Sequence, residues 1–152
     1  MGHAFHQLYY HFAWSTHSRI ALIGRNYRPE LLKIVNEEAK KCGAWPIRHN
    51  AMPDHVHLLV RLPPTVKVSE FIGQVKGAAS HRVNEEIRPS FKLKWQEGYG
   101  VMTLRKDELE KVSRYIDNQE THHRSGELSG LLERTDGDEE QPDAVVAPPK
   151  GG

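Results

Sequence analysis

The stretch that most constrains this chain is Met52-Pro53-Asp54-His55-Val56-His57-Leu58-Leu59-Val60. An apolar, β-branched run after a Met-Pro-Asp turn reads as a strand. Alternate side chains of a strand point to one face, so His55 and His57 project together and Val56 points away. Two imidazoles on one rigid element are a good start for a divalent-metal site, because neutral imidazole is a common ligand. The pair alone is equally compatible with two half-buried strand histidines that bind nothing, since two ligands do not complete a centre. The rest of the chain has to supply a third ligand and the chemistry.

A length of 152 residues sets the scale of one domain with a real core. Its 27% charged and 38% hydrophobic residues are ordinary for a soluble globular protein. The net charge of +1 conceals an asymmetry: residues 136–152 hold five acids against Lys150 and carry −4, so the body carries +5. A modestly basic body tolerates nucleic acid without proving contact with it. Cys42 is the only cysteine, which excludes an internal disulfide and a cysteine-based zinc site. No apolar run approaches a membrane span and the N-terminus lacks a signal-peptide pattern, so a cytoplasmic location without membrane partners is expected.

Residues 5–16 alternate loosely and read as a first strand, with Leu8, Tyr10, Phe12 and Trp14 on one face. Pro29 opens a helix carrying Leu31, Leu32, Val35, Ala39 and Cys42 at helical spacing, and Gly43 can end it. Trp45 to Met52 reads as a second strand, joined by the Met-Pro-Asp turn to the histidine strand as an antiparallel hairpin. Ser69 is the expected N-cap of a second helix with the stripe Ile72, Val75, Ala79, Val83 and Ile87. Tyr99 to Leu104 reads as a fourth strand. Asp107 and Glu110 resemble a capping box before a last helix with the stripe Leu109, Val112 and Ile116, running to about His123. The periodicity fades after Arg124, leaving 125–135 as an extension of uncertain structure, and the acidic end 136–152 is expected to be disordered.

This order, β-α-β-β-α-β plus a C-terminal helix, predicts an α+β, ferredoxin-like fold: a four-stranded antiparallel sheet with two helices on one face. RNA-recognition modules share the order, and fold alone does not choose among functions.

The C-terminal helix carries Tyr115 and Gln119, which share a face at i and i+4. Alone, they read as a core-rim aromatic and a solvated polar residue. Beside a His-x-His strand they suggest more. A tyrosine hydroxyl can attack phosphorus covalently, provided a metal-polarised phosphate or a base compensates for its high pKa. An amide oxygen one turn away could complete the metal site.

The chain resembles the IS200/IS605-type transposases, single-tyrosine members of the HUH endonuclease superfamily. The matching text is Trp14-Ser15-Thr16, Met52 to Val60, Val75-Lys76-Gly77, Phe91-x-x-x-Trp95-Gln96-x-Gly98-Tyr99, and Tyr115-Ile116-x-Asn118-Gln119-x-x-His122-His123-Arg124. The resemblance implies a domain over residues 1–124. It also implies a metal bound by His55, His57 and Gln119, with Tyr115 as nucleophile. The ion would be magnesium or manganese, although zinc or nickel could occupy the same donors in vitro. The implied reaction nicks and rejoins single-stranded DNA at hairpin-containing element ends through a 5′-phosphotyrosine, without a nucleotide cofactor. The family usually works as a homodimer whose tyrosine helix meets the partner's histidines. His17 stands where relatives often carry a basic residue. Lys76, Arg82 and Arg105 are candidate phosphate contacts, and His122 and His123 could approach the site from the helix end.

Other readings use fewer of these residues. A non-catalytic single-strand-binding module would stack bases on Tyr9, Tyr10 or Trp14 and need none of the four site residues. A phosphodiesterase with water as nucleophile would not need Tyr115. A domesticated, REP-associated type of nickase would need them all.

Overall fold

Strands β1 (Tyr9–Ser15), β2 (Trp45–Met52), β3 (His55–Arg61) and β4 (Gly100–Leu104) form one antiparallel sheet in the order β2-β3-β1-β4. The structure, a computed structural model, describes residues 4–119 and 127–135. Helices α1 (Arg28–Lys41) and α2 (Val68–Arg82) follow β1 and β3, while α3 (Leu109–Asp117) and α4 (Glu127–Leu132) follow β4. This is the expected ferredoxin-like arrangement. The expected positions of His122, His123 and Arg124, and the acidic end 136–152, lie outside the described residues.

Strand alternation gives the sheet two different faces. Phe12, Trp14, Val56, Leu58 and Val60 turn toward Leu31, Ile34, Val35 and Ala39 of α1 and Phe71, Ile72, Val75 and Ala79 of α2, forming the main core. The opposite face presents Tyr9, Leu59 and Leu104, covered by Val112 and Ile116 of α3 and Leu132 of α4. The central register sets Ala13 and Asn50 either side of His57, and Ser15 and Met52 either side of His55. Both histidines therefore sit on the second face, at the end of the sheet away from Tyr9.

Two polar ties hold α3 to β2. Asn50 Nδ2 donates to the Ile116 carbonyl at 2.8 Å, and Arg48 Nε lies 3.3 Å from Asp117 Oδ1.

Local details correct four expectations. Helix α2 begins at Val68 behind Lys67, so Ser69 lies inside the first turn and caps nothing. Its stripe continues past Arg82 only as a wider turn over Val83–Ile87, closed by Arg88 in a left-handed conformation at φ 56°. The box ahead of α3 is set two residues early: Glu108 accepts from the Arg105 N–H at 2.8 Å, while Asp107 takes the Arg105 side chain. Helix α3 ends at Asp117, with Asn118 as its C-cap, so Gln119 sits in the turn beyond it. Asn is a weak helix former and a good terminator, which accounts for the early stop.

Ile116 is fully buried between α3 and the sheet. Truncating such a side chain typically costs about 2–5 kcal/mol. Ile116→Ala should lower unfolding stability by about that much in a urea titration. A loss under about 0.5 kcal/mol would show that α3 does not rest on its own sheet.

Candidate active site

His55 and His57 are each fixed from behind. Asp54 Oδ1 lies 2.8 Å from His55 Nδ1, and Asp54 is itself paired with Arg19 at 3.4 Å. His11, two residues before Ala13 on β1, places its Nε2 2.8 Å from His57 Nδ1 in a fully buried contact. When a ring nitrogen donates to such a partner, the other nitrogen carries the lone pair and points where a metal would be held. In both rings that other atom is Nε2, and the two converge on one space.

Tyr115 and Gln119 meet them there. The Tyr115 ring stands edge-on to His57 with centroids 6.0 Å apart, and Gln119 Oε1 lies 3.2 Å from His55 Nε2. All four predicted site residues are thus brought together within one chain. The structure adds a fifth that the sequence reading missed. Glu133, just beyond α4, reaches 3.3 Å from His55 Nε2 and 3.4 Å from His57 Nε2, and its carboxylate accepts the Tyr115 O–H. The cue for Glu133 was weak, because it follows a helix of only six residues. His11 was better marked, as a polar residue on the strand face opposite Tyr10, Phe12 and Trp14.

Burial, reinforced by His57, lowers the pKa of His11 to about 3. Burial likewise pushes His57 down, opposed by Glu133 and assisted by His55. Burial alone would raise Glu133, but His57, Tyr115 and His55 outweigh it and hold the carboxyl well below its ordinary range. At neutral pH His11 and His57 are therefore neutral beside an ionised Glu133, and a neutral imidazole with a carboxylate is the protonation state a divalent cation requires. The donor chemistry fits an ion as well. His57 Nε2 is buried without a hydrogen bond of good geometry, and His55 Nε2 faces two oxygen acceptors. The ligand atoms of His55, His57 and Glu133 all lie within 4.8 Å of one another.

The three candidate phosphate contacts have their polar partners elsewhere. Lys76 Nζ donates to the Gln96 and Gly98 carbonyls at 3.0 and 2.7 Å, tying α2 to the loop before β4. Arg82 is engaged by Glu37, Glu38 and Glu86 on the far helical layer. Arg105 is exposed and pairs with Asp107 at 3.1 Å.

The histidine shifts have a signed consequence. An unfolded His11 would titrate near 6.5 and the folded one near 3, so between these values the unfolded chain binds more protons. Stability is full above about pH 6.5 and falls on acidification, by up to about 1.4 kcal/mol per pH unit for each such histidine. In chelator, the Tm should be level near neutrality and decline below about pH 6.5, with a shallower decline for His11→Gln. An unchanged slope in that variant would contradict the buried neutral His11.

The chain is 28% identical over 120 residues to the ISDra2 transposase TnpA of Deinococcus radiodurans, covering 75% of this chain and 85% of that one. It is 35% identical over 79 residues to the transposase for insertion sequence element IS200 of Salmonella typhimurium, about half of each chain. A crystal structure of a Deinococcus radiodurans protein classed as a transposase superposes with a TM-score of 0.62 at 26% identity, covering 78% of this chain and 96% of that one. A REP-associated tyrosine transposase bound to a REP hairpin shares the fold, with a TM-score of 0.54 at 15% identity over 76% of this chain and 70% of that one. The family model for IS200-like transposases matches residues 4–119, which span the sheet, both core helices and the tyrosine, and the chain belongs to that family of DNA-transposing enzymes.

Proposed function

We propose that this transposase cuts and rejoins single-stranded DNA with Tyr115 as its nucleophile and a divalent ion held by His55, His57 and Gln119. The observation that carries the reading is the approach of the Tyr115 hydroxyl to the two histidine Nε2 atoms across the Glu133 carboxylate. When bound, magnesium or manganese would act as a Lewis acid on the scissile phosphate. Tyr115 Oη attacks phosphorus, the P–O3′ bond breaks, and the leaving 3′ oxygen takes up the proton the phenol loses. The products are a 5′-phosphotyrosine and a free 3′-hydroxyl. Attack by another 3′-hydroxyl reverses the link, so bond energy is conserved and no nucleotide is consumed. The hairpin bound by the REP-associated neighbour supports hairpin-bearing DNA as the substrate class. Residues 1–124 carry the four assigned residues, α4 and Glu133 pack against them, and 136–152 are an acidic stretch beyond.

Tyr115→Phe keeps the ring and removes the attacking atom, at little packing cost. Its covalent adduct with a 3′-labelled oligonucleotide should vanish on a denaturing gel, while single-strand binding persists. A persisting adduct would point to another nucleophile, Tyr99 first. His57→Ala should abolish divalent-dependent cleavage, and cleavage at the wild-type rate in excess chelator would refute the metal role.

The family resemblance implies a homodimer with exchanged tyrosine helices, and within the single chain Asn50 and Arg48 tie α3 to its own β2. A mixture of Tyr115→Phe and His57→Ala chains separates the two arrangements: it stays inactive if each chain's own α3 serves its histidines. Recovered activity would mean that the helix crosses to a partner.

A further inference from the structure

The ligands assigned above are two imidazoles and an amide, all neutral. A hard divalent ion favours oxygen donors, and one taken out of water is poorly stabilised without an anion. Glu133 offers both oxygen and charge. We propose that Glu133 is an anionic ligand of the metal centre, delivered by the segment beyond the tyrosine helix, and that the same carboxylate holds the Tyr115 hydroxyl. This rests on the His55–His57 centre proposed above and extends it.

The distances suit the role. Donor atoms about 2.1 Å from a common ion stand about 3.0–3.4 Å apart at octahedral to tetrahedral angles. Glu133 Oε1 lies 3.3 Å from His55 Nε2 and Glu133 Oε2 3.4 Å from His57 Nε2, so both carboxylate oxygens face the histidine pair, and Gln119 Oε1 lies 3.2 Å from His55 Nε2. Its second engagement, with the Tyr115 O–H, puts the nucleophile against the same centre.

The position of Glu133 is also built, through an anchor on each side. On one side Leu132 is fully buried in the small core with Tyr9, Leu59, Leu104, Val112 and Ile116. On the other, the Arg134 carbonyl packs against Gly100 of β4 so closely that a Cβ there would overlap the oxygen. A glycine inside a strand often marks such a close backbone approach. Thr135 is buried just beyond. The fold thus fixes the backbone on both sides of the carboxylate.

The test is manganese affinity of the full chain without DNA, read from free Mn2+ by electron paramagnetic resonance, alongside a thermal melt. Loss of even an outer-shell partner costs about 10–100-fold in metal affinity, so Glu133→Gln should weaken binding at least about tenfold. Gly100→Ala leaves every ligand in place but drives Arg134 away, and should weaken binding in the same direction while the main core still melts cooperatively. Wild-type affinity in Glu133→Gln, with binding lost in His57→Ala, would overturn the role of Glu133 and leave the histidine centre standing. Equal affinity in wild type and His57→Ala would overturn both. Unchanged affinity with faster cleavage in Glu133→Gln would make the carboxylate a plug in the phosphate position, which also overturns the proposal.

Discussion

Every part of the site depends on the antiparallel register that sets Ala13 beside His57 and Ser15 beside His55. Because the side-chain period of a strand is two, a slip of one residue would bury both imidazoles among the apolar side chains under α1 and α2. The same slip would turn Val56 and Leu58 to the second face. The main core therefore enforces the chemistry. Phe12, Trp14, Val56, Leu58 and Val60 can be buried together in only one register, and that register aims His11, His55 and His57 the other way.

Much of this was legible in the residues. The alternation through Tyr10, Phe12 and Trp14 fixed the faces of β1, and the Met-Pro-Asp turn fixed the hairpin. Tyr115 and Gln119 still meet at one place even though the helix stops at Asp117: the Asn118 N–H donates to the Arg114 carbonyl at 3.0 Å, and Gln119 Oε1 reaches His55 Nε2. What was not legible came from groups whose partners are distant in sequence. His11 has a role only once β1 lies beside β3, 46 residues away in the chain. Glu133 has one only once a six-residue helix ending in the fully buried Leu132 folds back across β4. Local periodicity cannot announce a segment that short. Gly100 in mid-pattern was the trace that something approaches the strand closely.

The basic residues show what a linear reading leaves out. Lys76 and Arg82 stand as candidate phosphate contacts in the sequence, and in the fold both already have protein partners. Lys76 joins the 95–99 loop to α2, a junction also closed by Trp95 Nε1 donating to the Lys76 carbonyl at 2.8 Å. Arg82 gathers three glutamates and so links α1 to the end of α2. A cation whose donors already face carbonyls or carboxylates would have to release them before meeting DNA, and the cost of that release sets it apart from an exposed lysine.

The two cores also divide the labour of the reaction. The histidine platform is backed by the large cluster, which closes with α1 and α2 on both central strands. The tyrosine helix rests on a smaller one, in which Val112, Ile116 and Leu132 are the fully buried side chains outside the sheet among the described residues. At about 1.5–3 kcal/mol for each fully buried side chain, that contact holds α3 firmly but remains small beside the platform. Partial opening should therefore involve α3 and α4 before the sheet. In the reaction proposed here, in which a strand end is carried covalently before another is accepted, this gradient of stability is useful. The two histidines proposed to hold the metal stay in register, while the tyrosine proposed as nucleophile sits on the element that is less costly to move.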